Sequence, residues 1–177
     1  MLNSRRMAAA ITLAVLGLSF SLMGSPGQTA RAAGPTTCTF EADYTISPGL
    51  STSPSSGSIT TNGETGTMTC NGPVNGKQPT GPGTIGVTGH YGTKGGETCQ
   101  SGGRGDYAMS YTIPTSSGPQ HVTDTGTFTY GGIQGGLFTG QFQGSRMSGT
   151  FQVRPTQGDC LTAPMTKAHQ SAKSTLH

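Results

Sequence analysis

Along most of this chain, apolar side chains fall on every second position. Between residues 127 and 153, Phe128 and Tyr130 alternate with threonines, and Phe138, Gly140 and Phe142 alternate with Thr139 and Gln141. Met147, Gly149, Phe151 and Val153 then alternate with Ser148, Thr150 and Gln152. A period of two with one apolar face is the signature of a strand buried on one side and wet on the other. The connections at 131–136 and 144–145 are short and carry glycine, as hairpins require.

The same alternation predicts strands at 37–46, 66–74, 84–91, 106–113, 121–130, 138–142 and 147–153, with a last one at 161–167. No segment shows a helical apolar stripe. The expected fold is all-β, an eight-stranded antiparallel up-and-down (meander) barrel whose closure removes its edges. A two-sheet β-sandwich is the alternative. Ile59 and Asn62-Gly63 allow a small extra hairpin before the second strand. Residues 33–168 form the expected barrel domain, and the polar segment 169–177 reads as a flexible tail.

The start of the chain changes the charge picture. Arg5 and Arg6 precede an uncharged apolar run at 7–23, and Ala30-Arg31-Ala32 supplies an A-x-A cleavage pattern. Residues 1–32 therefore read as a secretory signal peptide, too short and wrongly flanked for a spanning helix. Arg5-Arg6 raises the twin-arginine route, but Met7-Ala8-Ala9 lacks the apolar pair that follows there, which favours general secretion. No cysteine follows the apolar run directly, so no lipid anchor and no stable membrane anchor is expected. The net charge of +3 includes Arg5, Arg6 and Arg31. Taking those three from ten Lys+Arg leaves seven, against seven Asp+Glu. The mature chain is neutral, with scattered charges, which excludes nucleic-acid binding through a clustered basic surface.

Cys38, Cys70, Cys99 and Cys160 all follow the cleavage pattern. Four cysteines in an exported, glycine- and threonine-rich chain read first as two disulfides. No C-x-x-C or His-Cys cluster supports a metal site. In a meander, successive loops alternate between the barrel's two ends, so the loops holding Cys99 and Cys160 share one end. Cys38 and Cys70 lie in neighbouring antiparallel strands at compatible register. The expected bonds are Cys38–Cys70 and Cys99–Cys160; an extra hairpin at Asn62-Gly63 would weaken the argument.

Candidate chemistry is sparse. His121 and Asp124 are three apart on a strand and face opposite sides. Glu41 and Asp43 share an outward face, where solvated carboxylates are the rule. His90 lies on a polar face, and His169 and His177 lie in the tail. Gly81–Gly86 spells G-x-G-x-x-G, but a strand follows it where a phosphate site needs a helix. Arg104-Gly105-Asp106 spells an adhesion tripeptide at a loop–strand junction. Asp124 is the one carboxylate that alternation places inside, with Phe128 and Tyr130, where burial penalises its charge. The interior otherwise receives large rings separated by Gly126, Gly140 and Gly149. Such rings either interlock into a solid core or leave a slot walled by Tyr44, Tyr107, Tyr111, Tyr130 and Phe142, with Asp124 among them.

The run from Phe138 to Cys160, together with Cys38-Thr-Phe, Met68-Thr-Cys70 and Glu97-Thr-Cys99, resembles small exported β-rich proteins of actinobacteria. The resemblance implies an exported β-barrel of actinobacterial origin and brings no catalytic residue, since those proteins carry no established activity. Avidin-like and lipocalin-like barrels are similar in size and strand count only; the Trp of their aromatic signatures is absent here. The expectation is a secreted, non-enzymatic barrel without cofactor, binding a small apolar or amphipathic ligand. An envelope or extracellular interaction protein working through its loops is one alternative. A barrel-type cyclase or isomerase relying on Asp124 is the other.

Overall fold

The computed structural model describes residues 34–92 and 95–177. The expected signal peptide at 1–32, and Lys94, lie outside the described residues. Nine strands follow one another: β1 (Thr37–Leu50), β2 (Gly57–Thr60), β3 (Gly66–Asn71), β4 (Gly83–Tyr91), β5 (Gly103–Ile113), β6 (Gln120–Tyr130), β7 (Phe138–Gly144), β8 (Met147–Gln157) and β9 (Met165–Leu176). The described residues contain no helix. From β3 onward each strand pairs antiparallel with the next, and β9 returns to β1 over Thr37↔Thr175 to Thr45↔Lys167. The barrel is closed, and the sandwich alternative is set aside.

The ninth strand does not change the meander. β2 and β3 both pair with β1 on one side and β4 on the other, β2 at Thr45–Ser47 and β3 at Thr37–Glu41. They run in line and share the second of eight positions around the barrel. From Cys38 to Thr45 is seven steps along β1, whereas from Thr60 to Cys70 is ten. The three extra residues loop out at 61–65, where the sequence allowed a hairpin. Glu64 fastens this loop to the outer wall, accepting hydrogen bonds from Thr84 (2.8 Å) and Thr112 (2.9 Å). Strand parity survives, so the argument for the disulfides survives with it. Both expected bonds are present: Cys38–Cys70 joins directly paired residues of β1 and β3, and Cys99–Cys160 joins two loops at the opposite end.

The last strand corrects the sequence reading. It spans 165–176, not 161–167, and the segment 169–177 is no flexible tail: β9 is hydrogen-bonded to β1 and β8 along nearly its whole length. Its inward positions are Ala168, Gln170, Ala172 and Ser174. They offer no large apolar alternation because they face large neighbours, Tyr44 opposite Ala168 and both Phe40 and Phe151 opposite Ala172. Small against large fills the space, and the small side leaves no signal.

Glycine does the same inside the sheet. Tyr107 faces Gly89 and Gly126, Phe128 faces Gly105, Phe142 faces Gly149, and Phe151 faces Gly140 across the ladder. At Gly105 and Gly140 an added Cβ would strike the facing ring of Phe128 or Phe151. An eight-stranded barrel has little interior room, and its rings are admitted because the opposing residue has no side chain. The outer face is the converse: on β6, Thr123, Thr125, Thr127 and Thr129 are all exposed. Threonine suits such a pleated, solvated surface. This wall lacks the apolar belt of a membrane barrel.

Candidate functional site

The barrel's two ends differ. The Cys38 end holds the start of β1, the β7–β8 turn and the end of β9; the Cys99 end holds the loops after β1, β4, β6 and β8. Toward the Cys38 end the interior is solid: Met68, Ile85, Ile113 and Met147 are fully buried, with Tyr111 among them. Phe142 sits at mid-barrel, edge-on to Phe40 and Tyr107 with ring centroids 6.0 and 5.9 Å apart.

Asp124 belongs to this solid half. It is buried, as the alternation required, at 1 % exposure. Its Oδ1 accepts hydrogen bonds from Ser145 Oγ (2.7 Å) and the Arg146 amide (2.9 Å), and its Oδ2 accepts one from Tyr107 Oη (3.3 Å). Gly144 makes this possible, since a side chain there would occupy the place of the carboxylate. Asp124 therefore fastens the β7–β8 turn to β6. A carboxylate engaged on both oxygens is a strut, and Tyr107 stands between it and the open part of the interior. Tyr111 lies in the same half; burial and the Asp124 charge push its phenol up to about 12, against the pull of Arg146.

The Cys99 half is not filled. It contains a cavity of about 90 Å³ walled by Tyr44, Val87, Tyr107 and Met109 toward mid-barrel and by Leu50 and Met165 near the loops. Phe128, Tyr130, Phe142 and Phe151 complete its aromatic side. Of the six residues expected to line a slot, Tyr44, Tyr107, Tyr130 and Phe142 do so, whereas Tyr111 and Asp124 lie in the packed half. An engineered apolar cavity of about 150 Å³ is enough to hold benzene, so this one suits a single small apolar group. Burial raises the phenols of Tyr44, Tyr107 and Tyr130, with nearby Asp124 adding to the effect at Tyr107 and Glu97 at Tyr130. They stand here as neutral phenols, of which Tyr107 donates a hydrogen bond to Asp124.

Four loops meet at this end of the barrel. Cys99 anchors them: its amide donates to Ser51 O (2.9 Å), its carbonyl accepts from the Ile133 amide (2.7 Å), and its sulfur is bonded to Cys160. The β4–β5 loop turns Glu97 back into the barrel, where it is 4 % exposed. Sequence reading left Glu97 in a glycine-rich loop. The available signal was its place two residues before Cys99, with Gly103 opposite Tyr130 leaving the space it enters.

The remaining candidates resolve as surface chemistry. His90 pairs with Asp106 (2.9 Å), and His169 with Asp43 (2.8 Å) across β9 and β1, so His169 lies on a strand. Glu41 and Asp43 are exposed. The Arg104-Gly105-Asp106 tripeptide lies inside β5, paired with β4 and β6, not at a loop junction; Gly105 is buried under Phe128. Extended and hydrogen-bonded on both sides, it cannot project as an adhesion loop does. The chain matches no protein-family model, no curated protein and no solved structure. Its function is read from its own geometry.

Proposed function

We propose that this is an exported, disulfide-bonded barrel that binds a small apolar or amphipathic ligand and performs no chemistry on it. The observation that carries the reading is the cavity, a 90 Å³ apolar space walled by rings in the Cys99 half of the barrel. Protein interiors pack like crystals, and a void costs dispersion contacts on every wall. The leader at 1–32, two disulfides and a neutral mature chain all fit an oxidising compartment outside the cell. The resemblance to exported actinobacterial proteins agrees with that location.

The cyclase or isomerase alternative relies on Asp124 as its buried acid. Asp124, the nominee, is tied to the β7–β8 turn instead, which favours binding over catalysis. Native mass spectrometry on protein purified from its producer's own medium tests the reading. A non-covalent adduct released on unfolding is the expected result. Adduct-free protein that also fails to take up small hydrocarbons in solution would overturn it.

A further inference from the structure

Three buried side-chain oxygens at the Cys99 end have no hydrogen-bond partner among the described residues: Glu97 Oε2, Tyr130 Oη and Ser55 Oγ. Buried polar atoms are nearly always paired, and a buried carboxylate least of all is left alone. Glu97 and Tyr130 lie close together. A Cβ built on Gly103 would collide with Glu97 Cγ and stand 2.9 Å from Tyr130 Oη, so both side chains flank one point on the inner wall. Ser55 is bound to the same residue, its amide donating to the Glu97 carbonyl at 3.1 Å. Tyr130 joins this group to the cavity, since its ring forms part of the apolar wall.

From this we infer that the cavity takes a small primary amine, its apolar body in the 90 Å³ space and its ammonium held by Glu97, with Tyr130 and Ser55. The inference rests on the binding reading above and deepens it. An ammonium group has three donors and no acceptor, which suits a carboxylate oxygen and a neighbouring hydroxyl that meet no other donor. A carboxylate or phosphate would meet Glu97 with like charge. A hydrocarbon would leave all three oxygens unmet. A single hydroxyl would satisfy one or two and leave the charge uncompensated. The loop is fixed well enough to hold this arrangement, through the Ser55–Glu97, Ser51–Cys99 and Cys99–Ile133 backbone bonds and the Cys99–Cys160 disulfide.

Propylamine, propanol, propionate and propane share a short apolar body that suits a 90 Å³ space and differ in the polar end. Followed by NMR titration of the mature protein at pH 7, propylamine is expected to bind at least about tenfold more tightly than propane or propanol, with no binding of propionate. Glu97→Gln should erase that preference while propane affinity stays the same. Tyr130→Phe keeps the ring and leaves the loop untouched, and should reduce the preference by a smaller factor. If Glu97→Gln does not fold, Tyr130→Phe carries the test alone. Equal binding of propylamine and propane, or a preference unchanged in the variants, overturns the amine assignment and leaves the cavity reading standing. Failure of all four probes, propane included, overturns the cavity reading itself.

Discussion

The two halves of this barrel are built from one inventory of rings, glycines and a buried carboxylate, and they come out differently. At the Cys38 end the carboxylate, Asp124, is matched on both oxygens by Ser145, Arg146 and Tyr107, and the apolar side chains of Met68, Ile85, Ile113 and Met147 are fully buried. At the Cys99 end the carboxylate, Glu97, has an unmet oxygen, two neighbouring hydroxyls are unmet as well, and the rings enclose a cavity. The disulfides follow the same division. Cys38–Cys70 staples two strands that already pair, whereas Cys99–Cys160 holds loops that no ladder joins. One half is finished by its own residues. The other holds a cavity and polar atoms without partners among the described residues.

The largest effect that would break this contrast comes from the disulfides. Removing either, as Cys38→Ser with Cys70→Ser or Cys99→Ser with Cys160→Ser, should cost about 2–5 kcal/mol in denaturant unfolding. Their local consequences should differ. Loss of Cys99–Cys160 should speed hydrogen exchange at the Ile133 amide far more than at Arg146, while loss of Cys38–Cys70 should leave Ile133 no more labile than its neighbours. Equal exchange responses at the two ends would contradict a loop-holding role for one bond alone.

Next is the strut. Asp124→Ala leaves the Arg146 amide and Tyr107 hydroxyl buried without their acceptor and should destabilise by about 3 kcal/mol. Asp124→Asn keeps a carbonyl acceptor and should cost roughly 1 kcal/mol. Similar losses for both would mean that the charge, and not the turn, is what Asp124 supports. Gly140→Ala comes below this, at about 1–3 kcal/mol, because its Cβ overpacks the Phe151 ring. Combining it with Phe151→Leu should recover part of the loss, and a double-mutant cycle showing strict additivity would refute the ring-against-glycine pairing.

The smallest effect lies on the exposed β8–β9 loop. Asp159 accepts hydrogen bonds from the Thr162 hydroxyl and from the Thr162, Ala163 and Leu161 amides, and these hold its carboxyl down at about 2. A folded value below the ordinary one means its stabilising contribution is full above the usual carboxylate range and is lost as pH falls through about 2. The Thr162 and Ala163 amide shifts should therefore titrate with a midpoint near pH 2. A midpoint near 4 would show that the loop does not hold the carboxylate.

Much of the fold was legible because burial in a barrel writes itself as alternation. The rings of β1, β5, β6 and β8 gave strand, face and register, and loop parity then gave both disulfides. What escaped had no apolar signal. Ala168 and Ala172 of β9 are small because Tyr44, Phe40 and Phe151 face them, so a core strand read as a polar tail. Glu97 escaped because a loop's path cannot be read from periodicity; only the space left by Gly103 shows that a charged side chain turns inward. Alternation placed Asp124 inside correctly but said nothing of Ser145 and Arg146, the contacts that decide its role.

The central claim, an empty half beside a full one, is tested most directly by methyl NMR under xenon pressure. Met109 and Met165 line the cavity, whereas Met68 and Met147 are buried in the packed half. Xenon enters apolar voids without needing polar contacts. Saturable shifts at the Met109 and Met165 methyls, with Met68 and Met147 unmoved, are the predicted result. Equal shifts at all four, or none at any, would contradict the division of the barrel into a closed half and a receptive one.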